Sequence, residues 1–319
     1  MKSFKRTMYI LGGSLLLLGI ILAATGFLLG GEGHFTINSH GIMSGSNMIH
    51  INDKGNLVSD KYAIIKQDKV ALGNITSVKI NTSYSKIEII DSDDFYIEYT
   101  YLGTKKQVCH SVKDGVLTYE EPTSSDGLSF FSFWDFDNDS EYYIKLYIPK
   151  NTTFDSFTVD SSSGDVVLKD FTSKTLDVTA SYGDVKIDNI NSNNTSIDLS
   201  SGYSKISNFN ADSLQYSNSY GDAELININS NSSATDKNKD GTISLNLSSG
   251  DINMDTVNAN KIDMDNSYGD IDLNSIATKE LVCDLSSGSI EAINSDFGNV
   301  TIDNSYGDIS MEFSKNISL

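Results

Sequence analysis

Leu247-Ser248-Ser249-Gly250-Asp251-Ile252 and, 19 residues on, Asn266-Ser267-Tyr268-Gly269-Asp270-Ile271 are two copies of one phrase. Its glycines fall at Gly164, Gly183, Gly202 and Gly221, then at Gly250, Gly269, Gly288 and Gly307. The interval from Gly221 to Gly250 is longer than the others, 29 residues, and holds a ten-residue insertion. A fixed period of about 20 residues is the mark of a solenoid, each repeat forming one coil stacked on the last.

Aligning the coils on glycine puts the apolar residues into columns. Val159, Val178, Ile197, Tyr216, Leu245, Met264, Cys283 and Ile302 precede it by five positions. Leu168, Ile187, Ile206, Leu225, Met254, Leu273, Ala292 and Met311 follow it by four. Polar residues separate them, the period-2 pattern of strands with one buried face. The expected fold is mainly β: a parallel β-solenoid of about 19 residues per coil, two short strands to a coil with a glycine turn between them. Glycine suits the turn because it tolerates positive φ.

The turn alternates between Leu-Ser-Ser-Gly and Asn-Ser-Tyr-Gly, which sets Tyr182, Tyr220, Tyr268 and Tyr306 on every second coil. Either a bulky ring needs a small neighbour above and below, or the rings form a binding ladder. Asp165, Asp184, Asp222, Asp251, Asp270 and Asp308 form a second column, broken by Tyr203 and Ser289. Stacked carboxylates repel unless solvated, hydrogen-bonded or bridged by cations. The expectation is that each bonds its own turn.

Acidic residues outnumber basic ones 43 to 23, for a formal charge of −20, and Arg6 is the only arginine. Nucleic-acid binding needs basic patches, so no nucleic-acid partner is expected. Cys109 and Cys283 form no CxxC pair, and Cys283 sits in an apolar column as a small filler. A disulfide between the two is a bare alternative.

Residues 8–30 carry no charge and are long enough to cross a bilayer as one helix. Lys2, Lys5 and Arg6 before the span place residues 1–7 in the cytoplasm and the remainder outside, a single-pass cell-membrane topology. Ala23-Ala24 offers a signal-peptide cut as the rival reading. The apolar run continues through Phe27-Leu28-Leu29, which favours the uncleaved anchor. Gly12, Gly19, Ala23, Gly26 and Gly30 share one helical face and form a candidate packing stripe for a helix partner in the membrane.

Residues 31–72 read as a juxtamembrane lead-in, with His34, His40 and His50 too loosely spaced for a metal site. Residues 73–155 read as a first coil with a capping segment, and residues 156–319 as the solenoid repeats. The cryptic coil is Ser83-Tyr84-Ser85-Lys86, with Ser85 in the glycine place. Strands are expected at Phe95–Tyr101, Gln107–Ser111, Val116–Glu120 and Tyr142–Ile148. The stretch Leu128–Phe136 holds five aromatics, including Trp134. It suits a cap over the solenoid end or an exposed contact patch.

The insertion ends in Asp236-Lys237-Asn238-Lys239-Asp240-Gly241-Thr242. Asp236, Asn238 and Asp240, with the Thr242 carbonyl, are the candidate ligands for Ca2+, in the order of an EF-hand loop start. Leu247 stands where that loop needs Glu, and a plain Asx/Gly turn suits the same residues.

The repeated Ser-Ser-Gly-Asp-Ile and Ser-Tyr-Gly-Asp-Ile phrases, Tyr147-Ile148-Pro149-Lys150 and the N-terminal anchor resemble the bacterial putative-adhesin family of unknown function. That family includes the LiaG-like proteins of cell-envelope stress operons. The resemblance covers residues 74–319 and implies a membrane-anchored β-solenoid with no catalytic residues to carry over. Three functions compete. The first is a surface-binding scaffold whose contacts are the four ladder tyrosines and Trp134, with a cell-wall glycan or surface protein as partner. The second is an envelope-stress sensory or regulatory protein acting through its membrane helix. The third is a polysaccharide-active β-helix enzyme. The enzyme is the weakest, because no histidine lies in the repeats and carboxylates that recur in every coil belong to turns.

Overall fold

The computed structural model describes the backbone of residues 35–38, 41–44, 47–51, 57–61, 63–103, 105–122, 142–230 and 241–314, with side chains from residue 63 on, Leu102 and Gly103 aside. The anchor span, Trp134 and the candidate calcium ligands Asp236, Asn238 and Asp240 lie outside the described residues. Among the described residues no helix is long and apolar enough to cross a membrane.

The chain divides into two units. The first contains an antiparallel meander of β1 (Phe35–Asn38), β2 (Gly41–Ser44), β3 (Asn47–Ile51) and β4 (Leu57–Lys61), in that spatial order. The second holds the solenoid. Its first elements are β5 (Ala63–Ala71), β6 (Ser77–Thr82), β7 (Lys86–Ser92), β8 (Tyr96–Gly103), β9 (His110–Lys113), β10 (Val116–Glu120), β11 (Tyr143–Pro149) and β12 (Thr153–Ser161). The regular coils follow as β13 (Val166–Ala180), β14 (Val185–Ser201), β15 (Ser204–Tyr220), β16 (Ala223–Ser230), β17 (Thr242–Leu247), β18 (Ile252–Tyr268), β19 (Ile271–Ser287), β20 (Ile290–Asn304) and β21 (Ile309–Phe313).

The columns stack as expected. Val159, Val178, Ile197, Tyr216, Leu245, Met264, Cys283 and Ile302 are register partners on successive parallel strands. All but Ile302 are buried. Burying such side chains contributes roughly 1.5–3 kcal/mol each, so the stripes supply most of the driving force. The insertion leaves this register untouched. β15 pairs β16 with one half and β17 with the other, and both continue onto β18.

The coil is built differently from two short strands. β14, β15, β18 and β19 each run 17 residues from one Gly turn to the next. Each bends at one left-handed residue six places after the glycine: Asn189, Asn208, Thr256 and Ser275, with φ between 50 and 57°. Asn tolerates that conformation better than most residues, and its amide can tie neighbouring coils together. Asn189 Nδ2 donates to Asp170 Oδ1 at 2.7 Å, and Asn227 Nδ2 to Asn208 Oδ1 at 2.7 Å. The bend brings a further buried column to the core: Phe171, Ile190, Phe209, Ile228, Val257 and Ile276.

Glycine is required for a second reason beside its positive φ. A Cβ on Gly202 would lie 2.2 Å from the Gly183 carbonyl oxygen. Gly164 has no positive φ, yet its Cβ would meet the Ser85 carbonyl at 2.1 Å. The turns stack backbone on backbone, and the close approach excludes any side chain.

The N-terminal end is interleaved. β6 pairs in parallel with β10 on one side and β12 on the other, and β7 pairs with both β11 and β13. The first coil therefore lies inside the stack, covered by strands that come later in the chain. β9 and β8 close the outer edges by pairing antiparallel with β10 and β11. Phe154, Phe157 and Phe171 fill the core here, with Phe157 and Phe171 stacked at 4.7 Å between centroids.

One column residue is mismatched. Thr195 is buried between its register partners Leu176 and Leu214, and its hydroxyl has no hydrogen-bond partner. A buried unpaired hydroxyl costs about 1–3 kcal/mol. Thr195→Val should therefore raise stability by about 1 kcal/mol, read as a higher denaturant midpoint at unchanged slope. A lower midpoint would contradict the assignment.

Candidate interaction edge

Nine turns align along one edge of the solenoid, at Ser85 and at the eight repeat glycines. The residue two before that position is serine in all nine, from Ser83 to Ser305. The residue one before is Tyr84, Ser163, Tyr182, Ser201, Tyr220, Ser249, Tyr268, Ser287 and Tyr306 in order. Tyr182, Tyr220, Tyr268 and Tyr306 are 63–76% exposed, and Tyr84 is 52% exposed. Tyr84, in the cryptic coil, is a fifth member of the ladder that the glycine repeat does not reveal. Its absent glycine hid a turn that the stacking of Gly164 on Ser85 makes plain.

From Gly202 on, the two-coil period has a counterpart in the core, whereas the first three turns carry Thr82, Ser161 and Ala180 at the same place. Three residues before the glycine, Leu199, Leu247 and Leu285 alternate with Asn218, Asn266 and Asn304. The leucines, Asn218 and Asn266 are buried. Each Asn side chain donates to the glycine carbonyl of the preceding coil: Asn218 to Gly202 at 3.0 Å, Asn266 to Gly250 at 2.9 Å and Asn304 to Gly288 at 3.0 Å. A buried amide N–H must find such partners, and the Oδ1 atoms of Asn266 and Asn304 have none among the described residues.

The carboxylate column is also accounted for, with a change of partner. Five of the six Asp residues, all but Asp308 on the last turn, accept from the backbone N–H of the next coil, not from their own turn. Asp165 receives Asp184 N at 2.9 Å, Asp222 receives Asp251 N at 2.9 Å and Asp251 receives Asp270 N at 2.8 Å. Asp184 and Asp270 serve Tyr203 and Ser289 in the same way, at 3.2 and 2.7 Å. Among the described residues no cluster of His, Cys, Asp or Glu could hold a metal ion.

Where Tyr203 interrupts the column, its hydroxyl donates to Glu224, which also pairs with Lys205 at 3.0 Å. Burial, with this bond, pushes the Tyr203 phenol up to about 12. The Tyr203 hydrogen bond, aided by Lys205, holds the Glu224 carboxyl below its usual range. In the core behind, Ser204 Oγ and Tyr216 Oη lie 2.7 Å apart, and Asn218 Nδ2 is 3.2 Å from Tyr216 Oη. The polar Ser204 in an otherwise apolar column is thus matched by the Tyr216 hydroxyl.

The remaining predicted residues fall elsewhere. Thr242 opens β17, and its carbonyl accepts from Ser230 Oγ at 3.5 Å. Cys109 and Cys283 are free and buried, so the disulfide alternative is not realised. Burial lifts their thiols to about 11 and about 12, which keeps both protonated and unreactive at neutral pH. His110 Nδ1 lies 3.1 Å from Tyr99 Oη, and burial lowers its pKa. Two polar recesses went unread in the sequence, one of about 340 Å³ along the left-handed corner at Lys150, Asp170 and Asn189, the other of about 480 Å³ at Asp93 and Pro149.

A stack of bent strands with a polar, ring-bearing edge defines a repeat scaffold whose regular surface is its turn column. Residues 75–240 and 233–318 match the sequence pattern of the family Toastrack DUF4097, and the chain belongs to that family. No curated protein matches it. Among solved structures it is similar to a putative adhesin from Parabacteroides distasonis, at 11% identity over 79% of this chain and 97% of that one, with a TM-score of 0.45. A putative adhesin from Bacteroides fragilis follows at 13% identity, 78% and 97% coverage and a TM-score of 0.36. A putative lipid binding protein from Parabacteroides distasonis has 14% identity, 77% and 96% coverage and a TM-score of 0.38.

Proposed function

We propose that this chain is a non-catalytic surface protein, anchored by residues 8–30 and working by binding through its outward solenoid. One observation carries the reading. Along the turn column the Asp carboxylates and the buried Asn amides are engaged in holding coil to coil, while five tyrosine rings are left exposed. Groups committed to structure are poor acids or bases for turnover, whereas exposed rings offer contact area. The charge of −20 directs the choice of partner away from polyanions.

The test uses the full chain in its membrane. Protease added to protoplasts should remove everything beyond about residue 31, the outer end of the span. Purified full chain in mild detergent should sediment saturably with isolated cell-envelope material and release no reducing sugar from it. Protection of the C-terminal part would overturn the topology, and absence of sedimentation would overturn the binding role. Released reducing ends would overturn the non-catalytic assignment.

A further inference from the structure

The five ladder tyrosines keep one spacing although the residue behind them in the core changes, from Thr82 and Ala180 to Asn218, Asn266 and Asn304. Neighbouring strands lie about 4.8 Å apart, so rings on alternate coils recur about every 9.6 Å, and the set from Tyr84 to Tyr306 spans roughly 38 Å. The insertion does not break the series, since Gly250 stacks directly on Gly221. The Asn and Leu alternation behind the turns begins only at Leu199 and so does not account for Tyr84 and Tyr182, and the alternate coils fold with serine in the tyrosine place. Among the described residues, none of the five hydroxyls has a hydrogen bond, and none of the five rings contacts another aromatic ring. Unengaged rings at a constant interval are a surface for a ligand with the same interval.

Taking the surface-binding role as its basis, we infer that this edge binds a linear, uncharged β-1,4-linked polysaccharide, one disaccharide per two coils. Such a chain turns each successive ring over and presents an equivalent face once per disaccharide, a length close to the tyrosine spacing. The C–H face of a pyranose packs on an aromatic ring without needing charge. Two residues beyond Tyr182, Tyr220, Tyr268 and Tyr306 stand Asp184, Asp222, Asp270 and Asp308. In Asp184, Asp222 and Asp270 one carboxylate oxygen takes a backbone N–H. The other oxygen of each takes no hydrogen bond among the described residues, which leaves it to accept from a sugar hydroxyl. The serine beside each ring, Ser181, Ser219, Ser267 and Ser305, adds a hydroxyl-bearing residue to the same turn. The same carboxylates repel polyanions, which excludes phosphate- or uronate-rich polymers. Each ring contributes little by itself. Affinity comes from linked contacts along one chain.

The test titrates the full chain, in mild detergent, with chitin oligosaccharides of two, four, six and eight residues. Affinity should climb with each added disaccharide, by at least about tenfold from four residues to eight, as linked sites engage. Maltose-series oligosaccharides of equal length, α-linked, should not compete. A variant with Tyr84, Tyr182, Tyr220, Tyr268 and Tyr306 all changed to Ser should lose at least about tenfold for the octamer at an unchanged melting temperature. A shifted variant, Tyr220→Ser with Ser201→Tyr, keeps the ring count and breaks the interval, so it should lose most of the gain from length. Equal octamer binding by the shifted or the five-serine variant would overturn the proposal, as would affinity independent of length. Sedimentation with envelope material separates the two readings. If the five-serine variant still sediments, the surface role stands and the ladder falls. If protease treatment of the envelope abolishes sedimentation, the partner is a protein and the glycan proposal fails. If wild type does not sediment, the surface role fails with it.

Discussion

Gly250→Ala is expected to cost more than 4 kcal/mol, a loss in the exceptional range for one methyl group. The added Cβ would lie 2.2 Å from the Gly221 carbonyl oxygen and 2.6 Å from its carbon, in a backbone with φ of 142°. Both are main-chain atoms, so neither can rotate away, and relief requires the two coils to part. Gly73→Ala is the control. Gly73 also has positive φ, at 70°, but nothing lies within 4 Å of its Cβ, so only the conformational cost of about 1–2 kcal/mol remains. Hydrogen exchange should show the Gly250 variant losing protection on both sides of that turn, in β16 and β18, while the Gly73 variant keeps it. Equal losses in the two variants would mean that φ, not the approach of the coils, sets the requirement.

Glu121→Ala should destabilise the N-terminal cap by about 3 kcal/mol, since charge-assisted hydrogen bonds are worth more than neutral ones. The Glu121 carboxylate follows β10 and sits against the first turn. One oxygen accepts from the Thr82 hydroxyl at 2.6 Å, from Ser83 N and from Tyr84 N, and the other accepts from the Ser85 hydroxyl at 2.8 Å. It stands in for the carboxylate and carbonyls that a preceding coil would supply. Removing it orphans two backbone N–H groups and two hydroxyls at once. Hydrogen exchange should quicken first in β6, β7 and β10, with β18–β20 unaffected, while Glu121→Gln should retain part of the protection. Uniform exchange across all coils would show that Glu121 is not specific to the cap.

The solenoid was legible because its evidence is periodic. Val178, Ile197 and Tyr216 could be aligned by counting, and their strands pair in that register. The left-handed corner was not legible, because its column mixes Asp, Asn, Thr and Ser and so looks like ordinary loop polarity. The strand spanning it therefore read as two. The acidic column was seen, but its partner belongs to the next coil, and contacts across 19 residues are invisible to local turn rules. The cap strands are legible to within three residues, and Val116–Glu120 without offset, yet their threading was hidden. Nothing in Val116–Glu120 announces that it slips beneath Ser77–Thr82. The four short strands from Phe35 to Lys61 are only four or five residues each, too short to establish a period.

The interleaved cap gives the two ends of the stack different mechanical characters. In this fold the hydrogen bonds between coils run along the long axis, so tension on the C-terminus loads one coil at a time. β21 and then β20 peel first, and each freed coil of 19 residues lengthens the tether by roughly 60 Å. Tension entering from the N-terminus meets β6 held between β10 and β12, and β7 held between β11 and β13. The first coil cannot leave without breaking ladders on both sides at once. A solenoid pulled from both ends would extend stepwise from β21 while its interleaved first coils stayed closed, as a line that lengthens under load before it breaks.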